Sequence, residues 1–325
     1  MSSIIRLPLT PTDAPLMHDR DCLHRFLFEH YPIRGHIVHL DASWRALLEH
    51  REYPPVIRDT LGEAVAASVL LAATLKFDGT LSLQLKGQGP MHLMLAQCSD
   101  ALGVRAVARY KEAEQYGRDL ASLSGEGSLT VTVENEDLSQ RYQGIVPLNG
   151  ERLSECLRSY FESSEQLPTR LWLHADENGA SGLLLQRLSD DSVQSRSAGG
   201  RLHEVNRAEI DDAWHRVQLL GDTLKPEELQ TLSDRNILRR LFAEDDVRLF
   251  EPAPVFFRCR CSRDRVVGML RALGPDEVRS VLAEQGHVEV RCDFCNRAYR
   301  FDSVDVEQLF SHAATPATDA SERRH

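Results

Sequence analysis

Cys259-Arg260-Cys261 and Cys292-Asp293-Phe294-Cys295 are the stretches on which the reading of this chain turns, and thirty residues separate them. Cysteines this close within each pair do not serve separate sites. The four read as one tetrahedral four-thiolate zinc site. The chain has only seven cysteines, so the clustering is not incidental. Zinc ribbons normally bring two Cys-x-x-Cys turns, and the single residue between Cys259 and Cys261 is the unusual part. Such neighbouring thiols can also close as a disulfide with little chain movement, so the site can be a switch as well as a staple. A core this small supplies about 3–5 kcal/mol. Zinc on four thiolates adds an apparent ~10–16 kcal/mol. The metal term is larger, so the module is expected to fold with zinc and unfold without it. Arg258, Arg260, Arg263, Arg265, Arg291, Arg297 and Arg300 lie close in sequence. They can offset the negative site and favour the oxidisable thiolate form. A sulfenic acid at one cysteine has a resolving thiol two or three positions away.

The remaining cysteines, Cys22, Cys98 and Cys156, stand among apolar residues and read as small buried hydrophobes. The 325 residues allow about two domains. The hydrophobic share of 42% and charged share of 27% are those of an ordinary water-soluble chain. A net charge of −11 argues against a broad nucleic-acid surface, which needs clustered Lys and Arg. Met1 to Pro15 lacks the basic and apolar regions of a signal peptide, and no apolar run approaches the roughly 20 residues of a membrane span. A cytoplasmic protein with no membrane partner is expected. In that reducing compartment clustered cysteines are metal ligands or redox groups.

The fold class expected is α+β. Residues 1–188 read as a mixed domain with an antiparallel sheet and buried helices. A helix from Thr60 to about Leu75 is apolar nearly all round and therefore buried. Alternation at Leu81, Leu83, Leu85, at Met91, Leu93, Leu95 and at Leu129, Val131, Val133 marks half-buried strands. Arg152 to Ser163 is helical, with Leu153, Leu157 and Tyr160 on one face. Asp176-Glu-Asn-Gly179 joins two strands as a hairpin. Residues 189–255 read as a flexible connection, Ser189 to Gly200, followed by an acidic helical linker. There Ile210, Trp214, Val217 and Leu220 share a face, and Gly221 is expected to stop the helix. Pro226 opens the next helix, and Ser233-Asp234 starts a third carrying Ile237, Leu238, Leu241 and Phe242. Short helices of this kind are marginal alone and need packing to persist. They fit either an ordinary helical subdomain or a conditionally folded linker. Residues 256–312 form the metal module, with helices broken at Gly274-Pro275 and short strands about the second cysteine pair. Residues 313–325 read as a disordered tail. His36, His39 and His50 read as polar strand and helix positions. No catalytic constellation is present: there is no His-Glu-x-x-His, Walker loop or Gly-x-Ser-x-Gly.

Several motifs, in order, resemble the redox-regulated heat-shock holdases, the thirty-three-kilodalton chaperonin family. They are Arg25-Phe-Leu-Phe-Glu29, Leu75-Lys-Phe-Asp-Gly79, Arg141-Tyr-Gln-Gly-Ile-Val146 and Ser164-Glu-Gln-Leu-Pro-Thr-Arg170. Glu284-Gln-Gly286, Asn296 and Tyr299-Arg-Phe301 accompany the four cysteines. The resemblance implies an ATP-independent chaperone rather than an enzyme, inactive while reduced with one Zn2+ per chain on Cys259, Cys261, Cys292 and Cys295. Peroxide with heat, or hypochlorous acid, would form the disulfides Cys259-Cys261 and Cys292-Cys295 and expel the zinc. Module and linker would unfold, and the protein would form a homodimer and hold unfolding client proteins. Trp214, Val217, Leu220, Leu241 and Phe242 would then become client-binding surface.

Two other classes compete. A zinc-module protein binding nucleic acid or the ribosome would draw on the Arg-rich module, but Phe256 to His312 balances nine Arg with nine Asp plus Glu. A thiol oxidoreductase would need its Cys-x-x-Cys on a thioredoxin-like βαβ unit. Mobility shift at low salt and insulin reduction discriminate these.

Overall fold

Alternating leucines place the strands that frame a buried helix. The computed structural model describes residues 20–49, 51–135, 141–189 and 206–311. The expected leader reading, most of the flexible connection, His50 and the tail from 313 lie outside the described residues. The chain is α+β and divides into two compact units, residues 1–258 and 259–325.

In the first unit, Leu81, Leu83 and Leu85 on β3 (Gly79–Gly87) are fully buried. β3 pairs antiparallel with β4 (Met91–Ser99) and β6 (Gly127–Asn135). β5 (Gly103–Tyr110) and β7 (Arg141–Pro147) extend this sheet on either side. A second sheet is built from β1 (Cys22–Phe28), β2 (Ile33–Leu40), β9 (Ala180–Arg187) and β8 (Thr169–Ala175), in that order. The β8–β9 hairpin is the one expected, and Asp176 Oδ1 accepts from the amides of Asn178 and Gly179 to hold its loop.

The buried helix is α2 (Pro55–Thr74), preceded by α1 (Ala42–Leu48). Its Ala64, Val65, Ala66, Ala67, Val69 and Leu70 share one core with Leu83, Ala96 and Val131 of one sheet and Leu40 and Leu184 of the other. The expected start at Thr60 is too late. Pro55 occupies the first turn, where its missing N–H does no harm, and the Thr60 hydroxyl donates to the Val56 carbonyl inside the helix. At Gly62 an added Cβ would lie 2.4 Å from Ala175 Cβ, so the helix approaches β8 closely only because the side chain is missing. Two shorter helices complete the domain, α3 (Leu120–Ser124) and α4 (Leu153–Tyr160). Leu153, Leu157 and Tyr160 are buried as expected, and the helix widens into a π turn at Phe161–Glu165.

The acidic linker folds as helices α5 (Arg207–Asp222), α6 (Pro226–Thr231) and α7 (Asp234–Phe242). Gly221 does not end α5. It lies within the helix, where a Cβ would come within 2.5 Å of the Trp172 ring, so glycine serves packing here rather than termination. Past the helices, β10 (Val247–Leu249) and β11 (Ala253–Pro254) both pair with β1, and β12 (Phe256–Phe257) runs parallel to β5. Trp214, Val217, Leu241 and Phe242 are buried and Leu220 is partly buried, all in a second core with Phe26, Phe28, Ile33, Ile37, Leu183 and Leu185. The Phe242 ring meets Phe28 edge-on at 5.1 Å between centroids. The β1/β2/β9/β8 sheet therefore has two apolar faces, one on α2 and one under the linker.

A polar cluster lies beneath the linker. Asp234, in the first turn of α7, is fully buried, and its Oδ2 accepts from His24 Nδ1 at 2.5 Å. Its Oδ1 stands 2.7 Å from His39 Nδ1, and His39 Nε2 donates to the Leu229 carbonyl at 2.6 Å. Burial alone would push His39 down, but the Asp234 carboxylate outweighs it and raises the pKa, against a smaller opposing effect of Arg20. Burial would push Asp234 up, and His39 and His24 together bring it down to about 2. The sign for linker docking follows from both shifts. The His39 contribution is fully present below its ordinary 6.5 and is lost as pH rises through the raised value. The Asp234 contribution is present above 3.8 and is lost as pH falls towards about 2. Protection of α7 against hydrogen exchange, corrected for intrinsic rates, is expected to be greatest below pH 6.5 and to fall as pH rises through the raised His39 value. A His39→Gln variant is expected to show no such change. A wild-type pH profile identical to that of His39→Gln would mean that the His39 charge does not hold the linker.

Among the described residues no helix is long and apolar enough to cross a membrane.

Candidate metal centre

The second unit buries little: Leu270, Val278, Val288, Tyr299, Phe301, Val306 and Leu309 form its core. They come from α8 (Arg263–Leu273), α9 (Pro275–Gln285), the hairpin of β13 (Val288–Arg291) with β14 (Ala298–Phe301), and α10 (Ser303–Ser311). The helices break at Gly274-Pro275 as expected, with Gly274 at φ +99° and Pro275 in the first turn of α9.

Each cysteine pair sits on a turn that the local sequence shapes. Cys259 and Cys261 precede α8, whose first turn is capped by the Ser262 hydroxyl accepting from the Arg265 amide. Cys292 and Cys295 lie in the β13–β14 connection. The Asn296 amide donates to the Cys292 carbonyl, and Asn296 adopts the left-handed conformation (φ +53°) that lets the turn close tightly.

The two turns bring all four sulfurs within 4.8 Å of one another. Cys259 Sγ lies 3.5 Å from Cys292 Sγ, and Cys261 Sγ lies 3.4 Å from Cys295 Sγ. Zinc bonded to sulfur at about 2.3 Å in a tetrahedron requires sulfurs about 3.8 Å apart, so the donor set and spacing fit that ion. All four side chains are partly exposed, and none is in a disulfide.

The thiols are unequal. Burial raises Cys261, but hydrogen bonds from the Tyr299 hydroxyl, at 3.1 Å, and from the other three thiols bring it down to about 7. Burial, and donation to the neighbouring sulfurs, push Cys259 well above an ordinary thiol, and burial also raises Cys295. Tyr299 is the site residue that spacing alone did not reveal. It carried a signal only as part of the Tyr299-Arg-Phe301 motif. Contact with Tyr299, followed by the charge on Cys261, raises the Arg297 pKa.

Several of the expected counter-charges are occupied elsewhere. Arg263 pairs with Asp305 at 2.9 Å and lies over the Phe301 ring at 4.2 Å. Arg291 and Arg300 both engage Glu289. Cys22, Cys98 and Cys156 are buried in the first unit. Burial pushes the Cys98 thiol up to about 12, leaving it inert at neutral pH.

The family model described as Hsp33 protein matches residues 21–302. A 33 kDa chaperonin of Nitrosococcus oceani is 47% identical over 295 residues, covering 91% of this chain and 96% of that one. One from Methylobacillus flagellatus is 45% identical over 296 residues, with the same coverage. The crystal structure of the 33 kDa chaperonin from Thermotoga maritima matches with a TM-score of 0.74 over 90% of this chain and 99% of that chain. At 22% identity that likeness speaks to the fold alone. With a matching family model across most of its length and curated relatives above 40% identity, the chain belongs to the Hsp33 family of chaperones.

Proposed function

We propose that this chain is an ATP-independent holdase, inactive while Cys259, Cys261, Cys292 and Cys295 hold one zinc ion and activated when those cysteines are oxidised. Zinc, when bound, supplies the cross-link between two turns that so small a core does not by itself secure. Oxidation joins Cys259 to Cys261 and Cys292 to Cys295. At each pair two thiolates give up two electrons to a peroxide, which takes up two protons and leaves as two waters. In the folded unit Cys259 Sγ contacts Cys292 Sγ and Cys261 Sγ contacts Cys295 Sγ across the pairs, and disulfides within the pairs give up both contacts.

The observation that carries the reading is the gathering of four sulfurs on two turns of so small a unit. The burial of the linker stripe supports it. Trp214, Val217, Leu220, Leu241 and Phe242 cover an apolar sheet face, and their release would expose both surfaces to clients. In this reading the active form is a homodimer working in a reducing, cytoplasmic compartment. It is not an enzyme, and it binds neither nucleic acid nor membrane. The organisation proposed is a chaperone core over 1–188, a connection and metastable linker over 189–255, a redox switch over 256–312 and a tail over 313–325.

The direct experiment measures zinc content and suppression of client aggregation on one sample before and after peroxide. Zinc loss with gained activity is expected, and activity gained with zinc fully retained would overturn the reading. A linker variant gives a second test. Truncating Phe242 leaves a void beside Phe26 and Phe28, and Phe→Ala in a core costs about 3–5 kcal/mol. Phe242→Ala is expected to speed exchange across 206–249 and to suppress aggregation in part without oxidant. Faster exchange with no activity would mean the linker does not hide the client surface.

A further inference from the structure

The cluster beneath the linker has the composition of a second metal site. Cys22 Sγ, His24 Nδ1 and a carboxylate oxygen of Asp234 lie within 4.8 Å of one another, and all three residues are buried. Cys22 Sγ and His24 Nδ1 are 3.8 Å apart, about the spacing of sulfur and nitrogen on one tetrahedral zinc. His39 stands on the other oxygen of the same carboxylate: its Nδ1 pairs with Oδ1 of Asp234 at 2.7 Å, and its Nε2 donates to the Leu229 carbonyl. His39 therefore holds the carboxylate in place from its far side, the outer contact that a metal-ligating group ordinarily has.

We propose that Cys22, His24 and Asp234 bind a second divalent metal ion of zinc type, and that this ion clamps the linker to the sheet. One thiolate, one carboxylate and a neutral imidazole around a divalent ion sum to zero charge, the arrangement a buried site tolerates best. Binding displaces the protons of the Cys22 thiol and of His24 Nδ1. It also opens the 2.5 Å contact of His24 with Asp234 by about an ångström to reach metal-ligand spacing. Cys22 and His24 belong to β1 and Asp234 to α7, so the set is complete only when the linker is docked. A metal bound there stabilises the docked state by mass action. That consequence rests on the linker being the element released on activation, whereas the metal site does not.

The test titrates reduced, zinc-loaded full-length protein with Co2+. A second equivalent is expected, with tetrahedral d–d bands and the charge-transfer absorption of a single thiolate. Cobalt that had entered the four-cysteine centre would instead show the much stronger absorption of four thiolates. Protons should be released on binding, and exchange in α7 should slow by tenfold or more in excess metal. Cys22→Ser, nearly isosteric and chosen so that the fold survives, is expected to abolish the second equivalent while leaving the zinc of the first in place. Asp234→Asn should do the same and loosen the linker as well. Absence of a second equivalent, or one whose spectrum is unchanged in Cys22→Ser, overturns the proposal.

Discussion

Cys292→Ser will lose tight zinc and unfold residues 259–311 while β3, β4 and α2 stay folded. The expectation rests on a comparison of magnitudes. Among the described residues the second unit buries seven hydrophobic side chains, a core that supplies about 3–5 kcal/mol at most. Four-thiolate zinc is worth an apparent ~10–16 kcal/mol. Removing one thiolate takes away most of the second quantity, and what remains does not offset the chain entropy of the unit. The ion pairs of this unit do not alter the balance. Arg279 with Glu307 is largely exposed, and Arg300 reaches Glu289 from the solvent side, where such pairs contribute about 0–1 kcal/mol. Zinc analysis and hydrogen exchange on the reduced variant provide the check. Exchange should reach intrinsic rates from Cys259 to Ser311, with β3 and β4 still protected. A variant that keeps zinc at wild-type affinity, or a folded second unit without zinc, would show that the four cysteines are not what holds the unit together.

Peroxide treatment of the wild type will speed exchange across 206–257 together with 259–311, while β3, β4 and α2 remain protected. The linker helices are short, and the residues that fix them are the ones packed on Phe26, Phe28, Ile33 and Ile37. Loss of a few kcal/mol there is enough to melt elements of this length. Two of the three tryptophans report the event. Trp214 lies in the linker core, and Trp172 packs against Gly221 and donates to Asp222 Oδ1 at 3.0 Å. Trp44 is fully buried, donates to the Asp176 carbonyl, and should stay blue. Emission is therefore expected to shift to the red in part, in step with gained anti-aggregation activity. Activity that rises while linker exchange stays at its reduced-state rate would place the client surface elsewhere and end the linker account.

Local periodicity determined what was legible without the structure. Apolar residues at every second position marked β3, β4 and β6, although in β4 an irregularity after Met91 turns Met94, Ala96 and Cys98 inward in place of the expected Leu93 and Leu95. A segment apolar all round marked α2 as buried, and two cysteine pairs thirty residues apart marked the centre. Each of these signals lies within one or two elements, so the chain carries it before any tertiary contact forms. Tertiary structure decided the rest. Leu183, Leu184 and Leu185 are buried consecutively because α2 covers one face of β9 and the linker covers the other, and no local pattern says what lies on each side. Gly221 reads as a helix stop until Trp172 arrives to need the space. Asp234 reads as an ordinary first-turn acid. It becomes a buried carboxylate only because His24 and His39 sit far away in sequence on strands that α7 closes over. Such groups are tolerable in the interior only through their partners, and partners supplied by distant strands are a property of the packed fold.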